Sequence, residues 1–317
     1  MSADRSTGRV ESAASGSPWS RGSAALKAAD YYRSVPGRSS SGRRLSARRL
    51  VLIAEELSER DDAVLQALAR VRVLTGAQLE RLLFSDIAVA SRGRTRRRVL
   101  GRLVDLGLVV TLERRIGGVR AGSAGLVYGL SGAGQKLAGR AVAGGSSPRP
   151  RTTATPSALF LAHALAVAEA YVATMEALRG VPGVALAGFD VEQNATWPTG
   201  RGPKDLLRPD ALVVLTREEV SDVWWLEVDR DTESLPRIVR LLRRYLAFAR
   251  SGQAGPRGVV PRMLLSVPSP DRLAGVQTEI ARLPAPAAQL FAVCMESEVA
   301  ALLVSEILDD GSPVREA

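Results

Sequence analysis

At 317 residues the chain is long enough for two domains, and an apolar share of 46% describes a globular protein rather than a fibrous or disordered one. A single cysteine, Cys294, excludes an internal disulfide framework, and no uncharged run approaches the ~20 residues of a bilayer span, so a cytoplasmic, nucleoid-associated protein with no membrane partner is expected. The net charge of +10 is unevenly placed: residues 1–50 carry ten Lys and Arg against three Asp and Glu, and residues 90–120 carry nine against two. Two basic stretches on an otherwise slightly acidic chain point to a polyanion partner, most often nucleic acid.

Residues 1–50 are rich in Ser, Arg, Gly and Ala, with a basic cluster at Arg43, Arg44, Arg48 and Arg49, and are expected to form a disordered tail dispensable for folding. Residues 51–140 then read as short amphipathic helices and a hairpin. Asp61 or Asp62 can cap a helix through Ala69, and Thr75 a second carrying Leu79, Leu82 and Leu83. A third helix is predicted over Ser91–Leu106, with Val99, Leu100 and Leu103 inward and Arg94, Arg97, Arg98 and Arg102 outward. The strand LVVTL, a polar loop with Arg114, Arg115 and Arg120, and the strand LVYGL follow. Three helices and a hairpin are the order of a winged helix-turn-helix, whose last helix enters the major groove of double-stranded DNA while the loop touches the backbone or minor groove.

Ser131 can cap a helix through Arg140, and the Pro-, Gly-, Ser- and Thr-rich residues 141–156 read as a linker. Residues 157–310 form the second domain. It opens with an apolar helix, Ser157–Arg179, that carries His163 and Glu169, and continues with a strand near Val184–Glu192. An antiparallel pair then runs through Arg208–Thr216 and Val223–Asp229. Alternation along the second strand puts Glu227 and Asp229 on one face, and Asp210 can reach the same edge. Three acids converging there repel one another unless a cation or hydrogen-bond donors balance them, which points to a divalent-metal site. Two helices, Leu235–Ser251 and Asp271–Leu283, alternate with strands Val259–Val267 and Gln289–Met295 before a last helix, Ser297–Leu308. The order gives an α+β (α/β) fold, a mixed sheet flanked by helices.

A helix carrying an acid, a strand with Pro-Asp (Pro209-Asp210) and a strand with Glu-x-Lys resemble the PD-(D/E)XK nuclease superfamily, the restriction-endonuclease-like fold. The longer string RPDALVVL…WWLEVDRDTES…YLAF is similar to the replication-relaxation family of plasmids and mobile elements. The resemblance implies Glu169, Asp210, Glu227 and Asp229 as the catalytic set, Asp210 and Glu227 holding Mg2+ or Mn2+. The chain departs from the nuclease pattern at Asp229, which stands where the lysine belongs. His163 also matches a position of the replication-relaxation family.

Two functions follow. One is a DNA-processing protein in replication, relaxation or conjugative transfer, acting as a metal-dependent nickase beside replication or transfer proteins. The other is a non-catalytic winged-helix regulator whose second domain serves dimerisation, a homodimer, or protein contacts. A nickase using Tyr245 is a third, opposed by the helical spacing of Tyr245 with Leu241, Leu242 and Phe248, which packs it inward. No phosphate-binding glycine loop, zinc-spaced Cys/His set or Ser-His-Asp constellation is present.

Overall fold

The computed structural model describes residues 45–115, 125–141, 158–231 and 233–309. The N-terminal unit contains α1 (Ala47–Glu56), α2 (Glu59–Val71), β1 (Val73–Thr75), α3 (Gly76–Leu83), α4 (Val89–Asp105), β2 (Val109–Arg115), β3 (Leu126–Leu130) and α5 (Gly132–Ala141). Its three strands form an antiparallel sheet in the order β1-β3-β2. Helix α4 starts two residues before the expected Ser91, and Thr75 and Ser131 cap α3 and α5 as their positions implied.

Two local expectations are corrected. Helix α2 is capped by Ser58 and not by Asp61 or Asp62; the Asp61 side chain instead accepts from the Ser58 amide at 2.8 Å, three residues back, in a capping box. Arg48 and Arg49 lie on α1, which Ser46 caps and which buries Leu50 and Ile53. A truncation at residue 50 would therefore cut into a packed helix. Arg43, Arg44 and the rest of the expected tail lie outside the described residues.

The second unit is α6 (Ala158–Leu178), β4 (Val184–Val191), β5 (Trp197–Pro198), β6 (Leu206–Leu207), β7 (Ala211–Arg217), β8 (Val220–Val228), α7 (Leu235–Ala249), β9 (Arg262–Val267), α8 (Pro270–Ala281), α9 (Ala287–Leu290), β10 (Phe291–Met295) and α10 (Val299–Asp309). Five strands form one mixed sheet in the order β10-β9-β8-β7-β4. The β4-β7-β8 meander is antiparallel and β8-β9-β10 is parallel, as the order of elements implies. Alternation sorts the strands onto two layers. Val213, Leu215, Trp224 and Leu226 pack with α6 and α10, while Leu212, Val214, Val223 and Trp225 pack with α7, α8 and α9. The short β5-β6 hairpin and the single-turn α9 were not apparent in the sequence, since each is too short to carry a period. Strand β9 starts at Arg262 rather than Val259, behind Pro261, which has no amide to give to a ladder. Cys294 is buried, and that burial pushes its thiol up to about 12.

Most of the linker expected over 141–156 lies outside the described residues, but the units on either side of it do not have separate interiors. One apolar cluster runs from Leu65, Leu79 and Leu103 into Val167, Tyr171 and Val213. Helix α6 is the junction. Among the described residues it is the one helix long and apolar enough to cross a membrane, yet it packs against α3, β1, β4 and α10.

Candidate functional site

On α4 the alternation of small, apolar and basic residues turns Val99, Leu100 and Leu103 inward. Arg94, Arg97 and Arg98 are exposed and make no ion pair among the described residues. Arg102, placed with them by its spacing, is differently employed: it pairs with the wholly buried Asp61 of the α2 capping box. Arg96 and Arg92 are also structural. Arg96 is buried against Glu80 at 2.7 Å, and Arg92 donates to the carbonyls of Ser85 and Ile87. Arg120 lies outside the described residues, as do the side chains of Arg114 and Arg115 at the end of β2.

The acids sit where β7 begins and β8 ends. Asp210 follows Pro209 into β7, and its Oδ2 accepts from the Val228 amide at 2.8 Å. Its Oδ1 lies 2.8 Å from Nε2 of His163, which α6 brings across from the other layer. Burial disfavours the imidazolium, but the charge and hydrogen bond of Asp210 outweigh it and hold the His163 pKa above its ordinary value. Glu227, 9% exposed, points the other way from Leu226, toward α7, where the buried Tyr245 hydroxyl donates to its Oε1 at 2.6 Å. Burial, and then the charge of Asp210, push Glu227 well above the carboxylate range, the Tyr245 bond opposing them. Burial and the same carboxyl push the Tyr245 phenol up in turn. Tyr245 packs its ring against Trp225, centroids 5.1 Å apart, so it is interior as its spacing implied.

Asp229 does share the Glu227 face, but it is already paired. Arg272, in the first turn of α8, donates to it through Nε and reaches the Glu233 carbonyl at 2.6 Å. The Asp231 amide donates to the other Asp229 oxygen at 3.0 Å. Neither Arg243 nor Arg244 is its partner; Arg244 holds Asp205 at 2.9 Å instead. Glu169 is turned toward the N-terminal unit, two helical turns from His163, where Arg81 and the Gln78 amide bind it at 2.5 and 2.9 Å. Of the four expected catalytic acids, only Asp210 and Glu227 face one another electrostatically.

The donors are thus supplied by the protein: His163 and an amide for Asp210, Tyr245 for Glu227, Arg272 for Asp229. Among the described residues no group of three or more His, Cys, Asp and Glu side chains is arranged to hold a metal ion. A divalent cation needs several oxygen ligands free to turn toward it, and Glu169 and Asp229 are held away from Asp210 and Glu227 by Arg81 and Arg272, so the arrangement does not fit the group. Sequence reasoning missed Arg272 and underweighted His163. Nothing in a helical arginine or a lone helical histidine marks its partner before the layers are stacked.

Residues 65–263 match the replication-relaxation family, and the chain belongs to that family. No curated protein matches the chain. Among solved structures it is similar to the SdaI restriction endonuclease at 13% identity, over 80% of this chain and 91% of that one, with a TM-score of 0.23.

Proposed function

We propose that the protein serves replication or relaxation of DNA as a double-stranded DNA-binding protein, with its N-terminal unit working as a winged helix-turn-helix. The observation that carries this is α4, the third helix of an α-β-α-α-β-β unit, which turns Arg94, Arg97 and Arg98 outward with no ion pair among the described residues. Guanidinium groups in that position meet phosphates or the edges of guanine. Replacing the three arginines by Ala is expected to lower affinity in a gel-shift salt series and to flatten its slope by roughly 0.9 for each phosphate no longer neutralised. Because none of the three packs inward, the melting temperature should stay put. An unchanged slope would remove α4 from the interface.

The α/β unit, in this reading, binds and does not cut. Asp229 occupies the lysine position and is tied to Arg272, and burial with the nearby Asp210 charge disfavours the ionised form of Glu227. Supercoiled plasmid incubated with the protein and Mg2+ or Mn2+ is expected to remain supercoiled. Nicking that disappears in Asp210→Ala or Glu227→Ala would restore the metal-dependent nickase.

A further inference from the structure

We propose a second nucleic-acid contact, a phosphate-binding cleft on the outer side of α7, built from Arg201, Arg243, Arg250 and Arg282. The inference rests on the DNA-binding reading above and extends it to the α/β unit. The cleft encloses about 510 Å³, and no acidic residue lines it. Arg243 and Arg250 are seven residues apart on α7 and so stand on one stripe, with Leu246 and Ala247 between them as an apolar floor. The stripe faces away from Tyr245, which turns inward from the same helix.

The walls are fixed by neighbours whose own charges are already used. Arg250 donates through Nε, at 3.0 Å, and through Nη2 to the carbonyl of Ala285, which orients its guanidinium without neutralising it. Arg201 sits on the loop between β5 and β6. Arg244 grips that loop through Asp205 and the Leu206 carbonyl, and the Thr199 hydroxyl donates to the same aspartate at 2.8 Å. Next to Arg201, Gly200 has φ +74°, and a Cβ there would fall 2.1 Å from Gln253 Nε2, so the loop lies tight against the chain that leaves α7. Asp205 is therefore occupied by Arg244 and Thr199 while Arg201 remains exposed. Arg243 is also exposed, and neither it nor Arg201 makes an ion pair among the described residues. Among the described residues, Arg282 alone of the four makes an ion pair, with Glu279 at 2.6 Å.

Among the described residues, the four guanidinium groups are balanced only by Glu279, paired with Arg282, and by Asp205, which Arg201 feels but which Arg244 and Thr199 already bind, so with no anion between them they repel one another. Planar forks around an open cleft match the tetrahedral oxygens of phosphodiesters, and a row of several favours a backbone carrying repeated phosphates. Carboxylates of an acidic peptide could meet the same forks, but the polyanion that the DNA-binding reading already supplies is a sugar-phosphate backbone, whose charges repeat regularly along its length. The assigned occupant is thus the sugar-phosphate backbone of the DNA that α4 engages.

The test is fluorescence anisotropy of a long duplex over a salt series, with wild type, the double variant Arg201→Ala/Arg243→Ala and the triple α4 variant. Both substituted cleft residues are exposed and make no ion pair among the described residues, so the melting temperature should change little. The cleft variant is expected to bind about tenfold more weakly at low salt and to show a slope shallower by roughly 1.8, the share of two neutralised phosphates. Weaker binding in the cleft variant alone would keep this contact and reject α4 as the reader. Weaker binding in the α4 variant alone would overturn the cleft and leave the winged-helix reading intact. A wild-type protein with no salt-dependent binding would reject both.

Discussion

Asp229→Asn is expected to destabilise the protein by about 3 kcal/mol, because it leaves the buried Arg272 guanidinium with only the exposed Asp231 carboxylate, 3.6 Å away, as counter-charge. The pair is deep: the Arg272 side chain is 9% exposed and that of Asp229 1%. Asn can still accept one bond, from the Asp231 amide or from Arg272, but it supplies no charge. A loss of that size corresponds to a melting temperature lower by roughly 6–10 °C. Removing both charges, as Asp229→Asn with Arg272→Met, should recover part of the loss, since the surviving partner's desolvation is what costs. A single variant as stable as wild type would show that Arg272 does not depend on Asp229, and would reopen that carboxylate to other ligands.

Glu227→Gln should act in the opposite direction, and increasingly so as the pH rises. Burial raises the folded pKa of Glu227 above its unfolded value, about 4.3, so the native state keeps a proton that the unfolded state gives up. Stability from this group is complete below the unfolded pKa and is lost as the pH rises through the folded one. Each pH unit between the two lowers stability by about 1.4 kcal/mol. Gln can accept the same Tyr245 hydrogen bond and carries no charge at any pH. The difference between variant and wild type in urea denaturation should therefore grow in favour of the variant as the pH rises above the unfolded value of Glu227. His163, whose pKa is also raised, gives both proteins the same further decline as the pH passes its folded value, and it cancels in the comparison. A difference that stays constant as the pH rises would mean that Glu227 is ionised in the native state, the condition a metal ligand must meet.

Much of this was legible in the sequence because it rests on periodicity. The strands β7 and β8, the helix α7 and the inward stripe of α4 follow from alternation or helical spacing, and the two faces of β8 were assigned from it. The converging acids at Asp210 and Glu227 were legible for the same reason. What balances them was not. His163 comes from the opposite layer, Tyr245 from a helix eighteen residues beyond Glu227, and Arg272 from forty-three residues beyond Asp229. Charge patterning also cannot tell an arginine that reads a partner from one that clamps its own fold. Arg98 and Arg102 are one helical turn apart, yet only the second meets a buried aspartate.

Helix α6 carries His163 at one end and is gripped by the N-terminal unit at the other. Gln78 and Arg81 of α3 hold its Glu169 and Glu176, and Arg179, just beyond its end, donates back to the carbonyls of Arg81 and Leu82. Helix α3 in turn is held to α4 through Glu80 and Arg96. The basic helix and the acid pair are thus linked through one continuous run of side-chain contacts from α4 through α3 to α6. Arg81 is a joint of the two units, since its one guanidinium binds both Glu169 and Glu176 of α6.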